Sequence, residues 1–152
     1  MRGVWVALLL TAGACAADGG DDGPSIELVV PGTFDPLDDG TVYEVDLRPQ
    51  GVYGGAVDLQ VFGVPVDAVP GFGVAIEGTD GQMFANQRYL TTSTGEPQSD
   101  GSFTIRELPV VFADAVPPEA VDGAPATLIA DIESEPPAQT RVDVTLMIVD
   151  SR

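Results

Sequence analysis

The sequence predicts an all-β protein, a single antiparallel β-sandwich of about seven to eight strands. Three observations carry that prediction. Apolar residues alternate with polar ones at a period of two in segment after segment. Clusters of Gly, Pro and Asp separate those segments, and no stretch sustains an apolar period of 3.6 residues. With 18 glycines and 13 prolines in 152 residues, long helices have little room. The sandwich is expected over residues 25–152, enough chain for one domain with its own core.

Taken in order, residues 26–30 form a short apolar run broken only by Glu27. In 41–47, Tyr43, Val45 and Leu47 face one way while Glu44 and Asp46 face the other, and Asp38-Asp39-Gly40 supplies the turn before them. Val57, Leu59 and Val61 repeat the alternation against Asp58 and Gln60. Phe72, Val74 and Ile76 make a third apolar face, and Asp80-Gly81, a strong hairpin signal, separates it from a candidate strand at 83–90. Asp100-Gly101 precedes another candidate at 102–108. Residues 109–125, with Pro117-Pro118, read as the long crossover, including a short edge strand at Val110, Val111 and Phe112. A candidate at 126–133 follows. Val142, Val144, Leu146 and Ile148 then give the clearest alternation of all, opposed by Asp143 and Thr145. No internal repeat is visible.

Ahead of this domain the chain has a different character. Arg2 precedes an unbroken apolar run at residues 4–10, then small residues Ala12-Gly13-Ala14, then Cys15, the only cysteine. That order is a secretory signal peptide, too short for a stable membrane span. With the cysteine directly after the small residues, it resembles a bacterial lipoprotein signal, whose lipobox ends in the lipidated cysteine. The resemblance covers only the first 15 residues. It implies a signal peptide at 1–14 and acylation of Cys15; Ala12 stands where leucine is commonest in the motif. Each buried acyl methylene contributes roughly 0.8 kcal/mol, so two or three chains anchor stably where one does not. Ala16 rather than aspartate after the cysteine implies, in Gram-negative families, export to the outer membrane. An ordinary secretory signal cleaved nearby is the alternative, leaving Cys15 as a free thiol or removing it. Residues 15–24, rich in Gly and Asp, form the lipidated cysteine and a flexible acidic tether.

The sandwich pattern is similar to that of immunoglobulin-like and fibronectin type III-like domains. Their Cys…Trp…Cys core is absent, because Cys15 and Trp5 both lie ahead of the domain. No intrachain disulfide can form, so apolar burial must supply the stability.

Composition excludes more chemistry than it offers. The net charge is −18, with 24 acidic residues, 6 arginines and no lysine or histidine. Such a surface repels phosphate backbones and argues against nucleic-acid binding. Histidine-based nucleophile and general-base pairs are unavailable, as are lysine dyads, Schiff bases and conventional zinc sites. Paired carboxylates are the one remaining catalytic device. No enzyme and no cofactor are therefore expected, save calcium. Asp35, Asp38 and Asp39 are the candidate calcium ligands, clustered within six residues but without EF-hand spacing, and turn formation explains them equally well. Tyr53, displayed in the glycine-rich segment 50–55, is the candidate partner contact. Arg48, Arg88, Arg106 and Arg141 are expected to neutralise acids across strand pairs.

These readings lead to a membrane-anchored envelope lipoprotein whose non-catalytic sandwich is an interaction or structural module. Its expected partners are the membrane, through covalent lipid, and an envelope protein. A small-ligand or calcium-binding lipoprotein is the alternative, and a carboxylate-dependent hydrolase a remote one.

Overall fold

The computed structural model describes residues 23–47, 53–90 and 95–150. Their strands are β1 (Ser25–Val29), β2 (Thr41–Leu47), β3 (Tyr53–Phe62), β4 (Gly71–Gly78), β5 (Met83–Leu90), β6 (Gly95–Pro97), β7 (Phe103–Val111), β8 (Pro125–Ile132) and β9 (Ala138–Asp150). Two single 3-10 turns, Val66–Ala68 and Pro118–Ala120, are the helical structure among the described residues.

Hydrogen bonding orders the strands β5-β4-β8-β9-β2-β3-β7-β6, with β1 also on β3. The ladder joining β2 to β3 has only two residue pairs, Asp46 with Gly54 and Leu47 with Tyr53. At that narrow hinge the path divides into two layers, β5-β4-β8-β9-β2 and β1-β3-β7-β6. Phe72, Ile76 and Leu128 from one layer and Leu28, Leu59 and Ile105 from the other fill the core between them. The sheet composition is that of an immunoglobulin-like sandwich with its first strand split between the layers.

One pairing corrects the expected all-antiparallel sheet. β2 runs parallel to β9, from Thr41 opposite Val144 to Leu47 opposite Asp150. The cause is that β1 and β2 both run antiparallel to β3. Although the chain doubles back between them, β1 and β2 run the same way, and β2 lies beside the last strand pointing in its direction.

β3 also begins earlier than the alternation suggested, at Tyr53 rather than Val57. Gly54 and Gly55 are strand residues there because neighbours come too close for side chains. A Cβ on Gly54 would strike the Val110 carbonyl, and one on Gly55 the Tyr43 hydroxyl.

β7 is one strand where the sequence suggested two. Pro109 lies inside it, opposite Ala56. The Pro109 carbonyl accepts from the Tyr89 hydroxyl at 2.5 Å and the Ala56 carbonyl from the Tyr43 hydroxyl at 3.3 Å. Both groups point away from the β3–β7 ladder, so the N–H that proline lacks is not one the ladder uses.

A bulge sits just before it. Between the pairs Val57–Leu108 and Leu59–Ile105, β7 places Arg106 and Glu107 opposite the single residue Asp58. Glu107 has φ 54°, a left-handed conformation costing a residue with a side chain roughly 1–2 kcal/mol. Asp58, fully buried, holds it in place. Its Oδ1 accepts the Glu107 N–H at 2.7 Å, while Oδ2 accepts the Gly32 N–H at 2.9 Å and the Arg106 guanidinium at 3.2 Å.

Asp58→Ala strands two backbone donors and a partly buried guanidinium, and should lower unfolding free energy in urea by about 3–5 kcal/mol. Glu96→Ala, which removes only the exposed second partner of Arg106, should cost under about 1 kcal/mol. Equal losses would assign the stabilisation to the ion pairs and not to the backbone bonds of Asp58.

Candidate functional site

Cys15, the signal segment, Arg48 and residues 50–52 of the glycine-rich segment lie outside the described residues. The other sequence-predicted positions can be placed.

The three candidate calcium ligands are built into turns. The Asp35 carbonyl accepts the Val30 N–H at 2.9 Å, and its own N–H donates to the Thr33 hydroxyl at 3.0 Å. The Asp38 carbonyl accepts both the N–H and the hydroxyl of Thr41. The Asp39 carboxylate accepts the Asp143 N–H at 2.8 Å. Among the described residues, no three His, Cys, Asp or Glu side chains gather as a metal site.

Tyr53 is 4% exposed. Its ring stacks on Phe112 with centroids 4.9 Å apart, and its hydroxyl donates to the Val116 carbonyl. It ties the crossover after β7 to the core, and a side chain so buried presents no surface to a partner.

The Asp-Gly pairs do more than turn the chain. Gly40 donates its N–H to the Asp143 carbonyl at 2.7 Å, while Asp39 takes the Asp143 N–H. On another stretch of β9, Gly123 donates to the Leu146 carbonyl at 2.8 Å and Asp122 accepts the Ile148 N–H at 2.9 Å. In each pair, one carboxylate and one glycine N–H stand in for a strand residue beside β9. At Asp80-Gly81 and Asp100-Gly101 the glycines adopt φ of 82° and 85°, and the carboxylates accept the N–H two residues on, at Gln82 and Ser102. The Ser102 hydroxyl, then its N–H, hold the Asp100 carboxyl below the usual carboxylate range.

Of the arginines expected to neutralise acids across strand pairs, Arg106 does so between paired strands, while Arg88 and Arg141 reach acids across an intervening strand. Arg88 on β5 bridges to Asp131 and Glu133 on the far side of β4, passing over Gly73, where a Cβ would lie 2.6 Å from the Asp131 carboxylate. Arg141 pairs with Glu77 at 3.2 Å. Arg106 bridges Asp58 and Glu96 and lies 5.0 Å from the centre of the Phe34 ring.

The feature that sequence reasoning missed is the cleft beneath residues 30–40. After β1 the chain makes a Pro31-Gly32 turn, with Gly32 at φ 77° and the Thr33 N–H on the Val30 carbonyl. It then returns along β1, with Pro36 bridging Val29, before entering β2. β1 leaves β3 at Asp58 and β2 joins it at Gly54. Between those points, residues 55–57 of β3 and 41–45 of β2 have no strand partner on the sides that face each other, among the described residues. The gap is a cleft of about 320 Å3 with Val30, Leu37, Val42 and Tyr43 in its walls and Glu44 and Asp46 at its rim. Burial, and then the Asp46 carboxylate, push the Tyr43 hydroxyl well above the ordinary tyrosine value. No single residue spacing encodes this cleft; it exists because one strand is divided between layers.

No family model matches the chain, and no curated protein matches it. Among solved structures, a Bifidobacterium dentium β-glucuronidase complexed with coumarin-3-O-glucuronide shares 12% identity at a TM-score of 0.36. The match covers 82% of this chain and only 18% of the glucuronidase. A structure of Dpr1 IG1 bound to DIP-eta IG1 shares 13% identity at a TM-score of 0.29, over 82% of this chain and 95% of that one. Likenesses this distant carry no argument. The class assignment, an immunoglobulin-like sandwich, rests on strand order and register.

Burial also raises the hydroxyls of Tyr53 and Tyr89, with Glu119 adding to the effect at Tyr53. With Tyr43 these are the chain's three tyrosines. Raised folded-state values mean that an unfolded chain releases protons near pH ~10 that the folded chain still holds. Their contribution to stability is complete below that pH and is lost above it. Tyrosinate absorbance should therefore stay flat through about pH 10 and rise only together with loss of the β-sheet circular dichroism. Ionisation at the ordinary value with the sheet intact would show these hydroxyls to be solvated.

Proposed function

We propose that this chain is a lipid-anchored cell-envelope protein whose immunoglobulin-like sandwich is a non-catalytic recognition module. The observation that carries the reading is the apolar run at 4–10 followed by Ala12-Gly13-Ala14-Cys15. The fold gives the anchor a consistent geometry. Ser25 pairs with Phe62, so the chain enters the sandwich at the end carrying the 63–70 and 133–137 connections. A Cβ on Gly23 would lie 3.7 Å from Pro136 at that same end. Residues 16–24 reach at most about 30 Å when extended. This end therefore faces the bilayer, and the turn at 79–82, the crossover at 112–124 and the end of β9 face away from it. The acidic surface, repelled by anionic lipid, favours that upright arrangement over lying along the membrane.

Metabolic labelling with an alkyne-tagged fatty acid tests the anchor. The native chain should take the label and fractionate with membranes, and Cys15→Ser should lose both properties. An unlabelled native chain would overturn the reading.

A further inference from the structure

One buried hydroxyl in the β1-β3-β7-β6 layer is left without a partner. Thr104 on β7 is fully buried, and its Oγ1 makes no hydrogen bond among the described residues. Phe103 and Ile105, on either side of it, point into the core, so alternation turns Thr104 to the outer face of its layer. Valine has nearly the same shape, suits a strand as well and leaves no polar atom unmet. Nothing within the strand therefore accounts for the hydroxyl, whereas a polar group arriving from outside the chain does.

Strand register sets what stands around it. Glu27 on β1 lies opposite Gln60 on β3, Gln60 opposite Thr104, and Thr104 opposite Glu96 on β6. These side chains form one row across the outer face, with a carboxylate at each end and an amide and a hydroxyl between. Arg106 is the cation on that face among the described residues, and it already answers both the buried Asp58 and Glu96. The opposite layer differs, since Arg88 and Arg141 both serve its acids.

We infer, resting on the recognition reading above, that this row receives an arginine side chain of a partner protein. A guanidinium carries several N–H donors in one plane. The row sets acceptors side by side: the Thr104 Oγ1, the Gln60 amide oxygen and the Glu96 Oε1, whose sister oxygen holds Arg106. A metal ion is less well matched. Glu27 and Glu96 lie on strands three spacings, about 14 Å, apart, and no third acidic side chain gathers with them among the described residues. Access is through Glu96. It belongs to a three-residue strand at the edge of the layer, its side chain is 61% exposed, and its bond to Arg106 is a surface ion pair, weak in water. Arg106 keeps its place when Glu96 turns, held by Asp58 and by the Phe34 ring centred 5.0 Å from its guanidinium. An acidic partner is repelled at both ends of the row, and the compact head of a lysine does not reach acceptors on two strands at once.

The test titrates the mature full-length chain in detergent micelles with the tripeptide glycyl-arginyl-glycine, blocked at both ends, and follows backbone amide shifts by NMR. Saturable shifts are expected at Gln60, Glu96 and Thr104, with weaker binding of the lysine counterpart and none of the glutamate counterpart. Thr104→Val should weaken binding about fivefold while raising resistance to urea, because it removes an unmet buried hydroxyl. Glu96→Gln should also weaken binding, whereas Glu44→Gln, on the outer face of the other layer, should leave it unchanged. Four results would each overturn the inference. They are no saturable shifts, shifts centred elsewhere on the sandwich, equal weakening by Glu44→Gln, and unchanged affinity for Thr104→Val. The third would mean diffuse attraction to an acidic surface, and the fourth would assign the hydroxyl to water alone. The shift map of the unsubstituted chain needs no variant. Cys15→Ser should bind equally, since the row does not involve the acyl chains, so loss of the anchor and loss of this site are read separately.

Discussion

Asp58 sits in the middle of β3 with no exposed surface, and its two oxygens reach the turn at Gly32, the bulge at Glu107 and the guanidinium of Arg106. The consequence is largest on β7. Phe103 and Ile105 point into the core, and so do Leu108 and Val110, all four no more than 4% exposed. Strict alternation cannot achieve this, because two of these positions are odd and two even. The extra residue at the bulge shifts the phase, keeping Glu107 out of the core and bringing Leu108 in. The left-handed Glu107 backbone that makes the shift is unfavourable alone, and the Asp58 carboxylate compensates by binding its N–H. The same carboxylate secures Gly32, so the strand that must change layers is tied to the strand that must change phase.

From that tie the sheet switch follows. With Gly32 held over β3, the chain turns back along β1 and crosses to β9 instead of continuing beside β3. β2 can then pair along its whole length with β9 while touching β3 at only two residues. Asp39-Gly40 and Asp122-Gly123 support β9 through their carboxylates and glycine N–H groups. A strand supported this way tolerates a short parallel partner, which is the weaker kind of pairing. The cleft is the space this arrangement leaves.

Much of the architecture is legible in the residues. The segments 41–47 and 83–90 coincide with β2 and β5, since each is bounded by turn chemistry and keeps its phase or carries a turn signal beside it. What was not legible has specific causes. The break in phase at Glu107 made β7 look like a strand and a separate edge. Tyr53, Gly54 and Gly55 looked like a displayed loop, because a glycine needed for close approach inside a strand has the same composition as a glycine needed for flexibility. β6 is three residues without alternation and is held only by its pairing with Phe103, Thr104 and Ile105. Strand direction leaves no mark on periodicity, so the parallel β2–β9 pair was invisible. The cleft was invisible for the same reason, being a property of which strands fail to meet.

The acidic composition also reads differently once the structure is known. Asp39, Asp58, Asp80, Asp100 and Asp122 each accept a backbone N–H that turn or bulge geometry would otherwise leave unmet. Such carboxylates are architectural, and an isolated Asp or Glu would have to be weighed first as a backbone acceptor before being given a ligand. Arg88, Arg106 and Arg141 then neutralise further acids, Asp131 and Glu133, Glu96, and Glu77. Glu44 stands apart from both groups: among the described residues it takes no backbone N–H in this way, and it is exposed on β2 beside Val42. The acidic composition thus divides into carboxylates that brace the backbone, carboxylates that pair with arginine, and surface charge such as Glu44 that does neither.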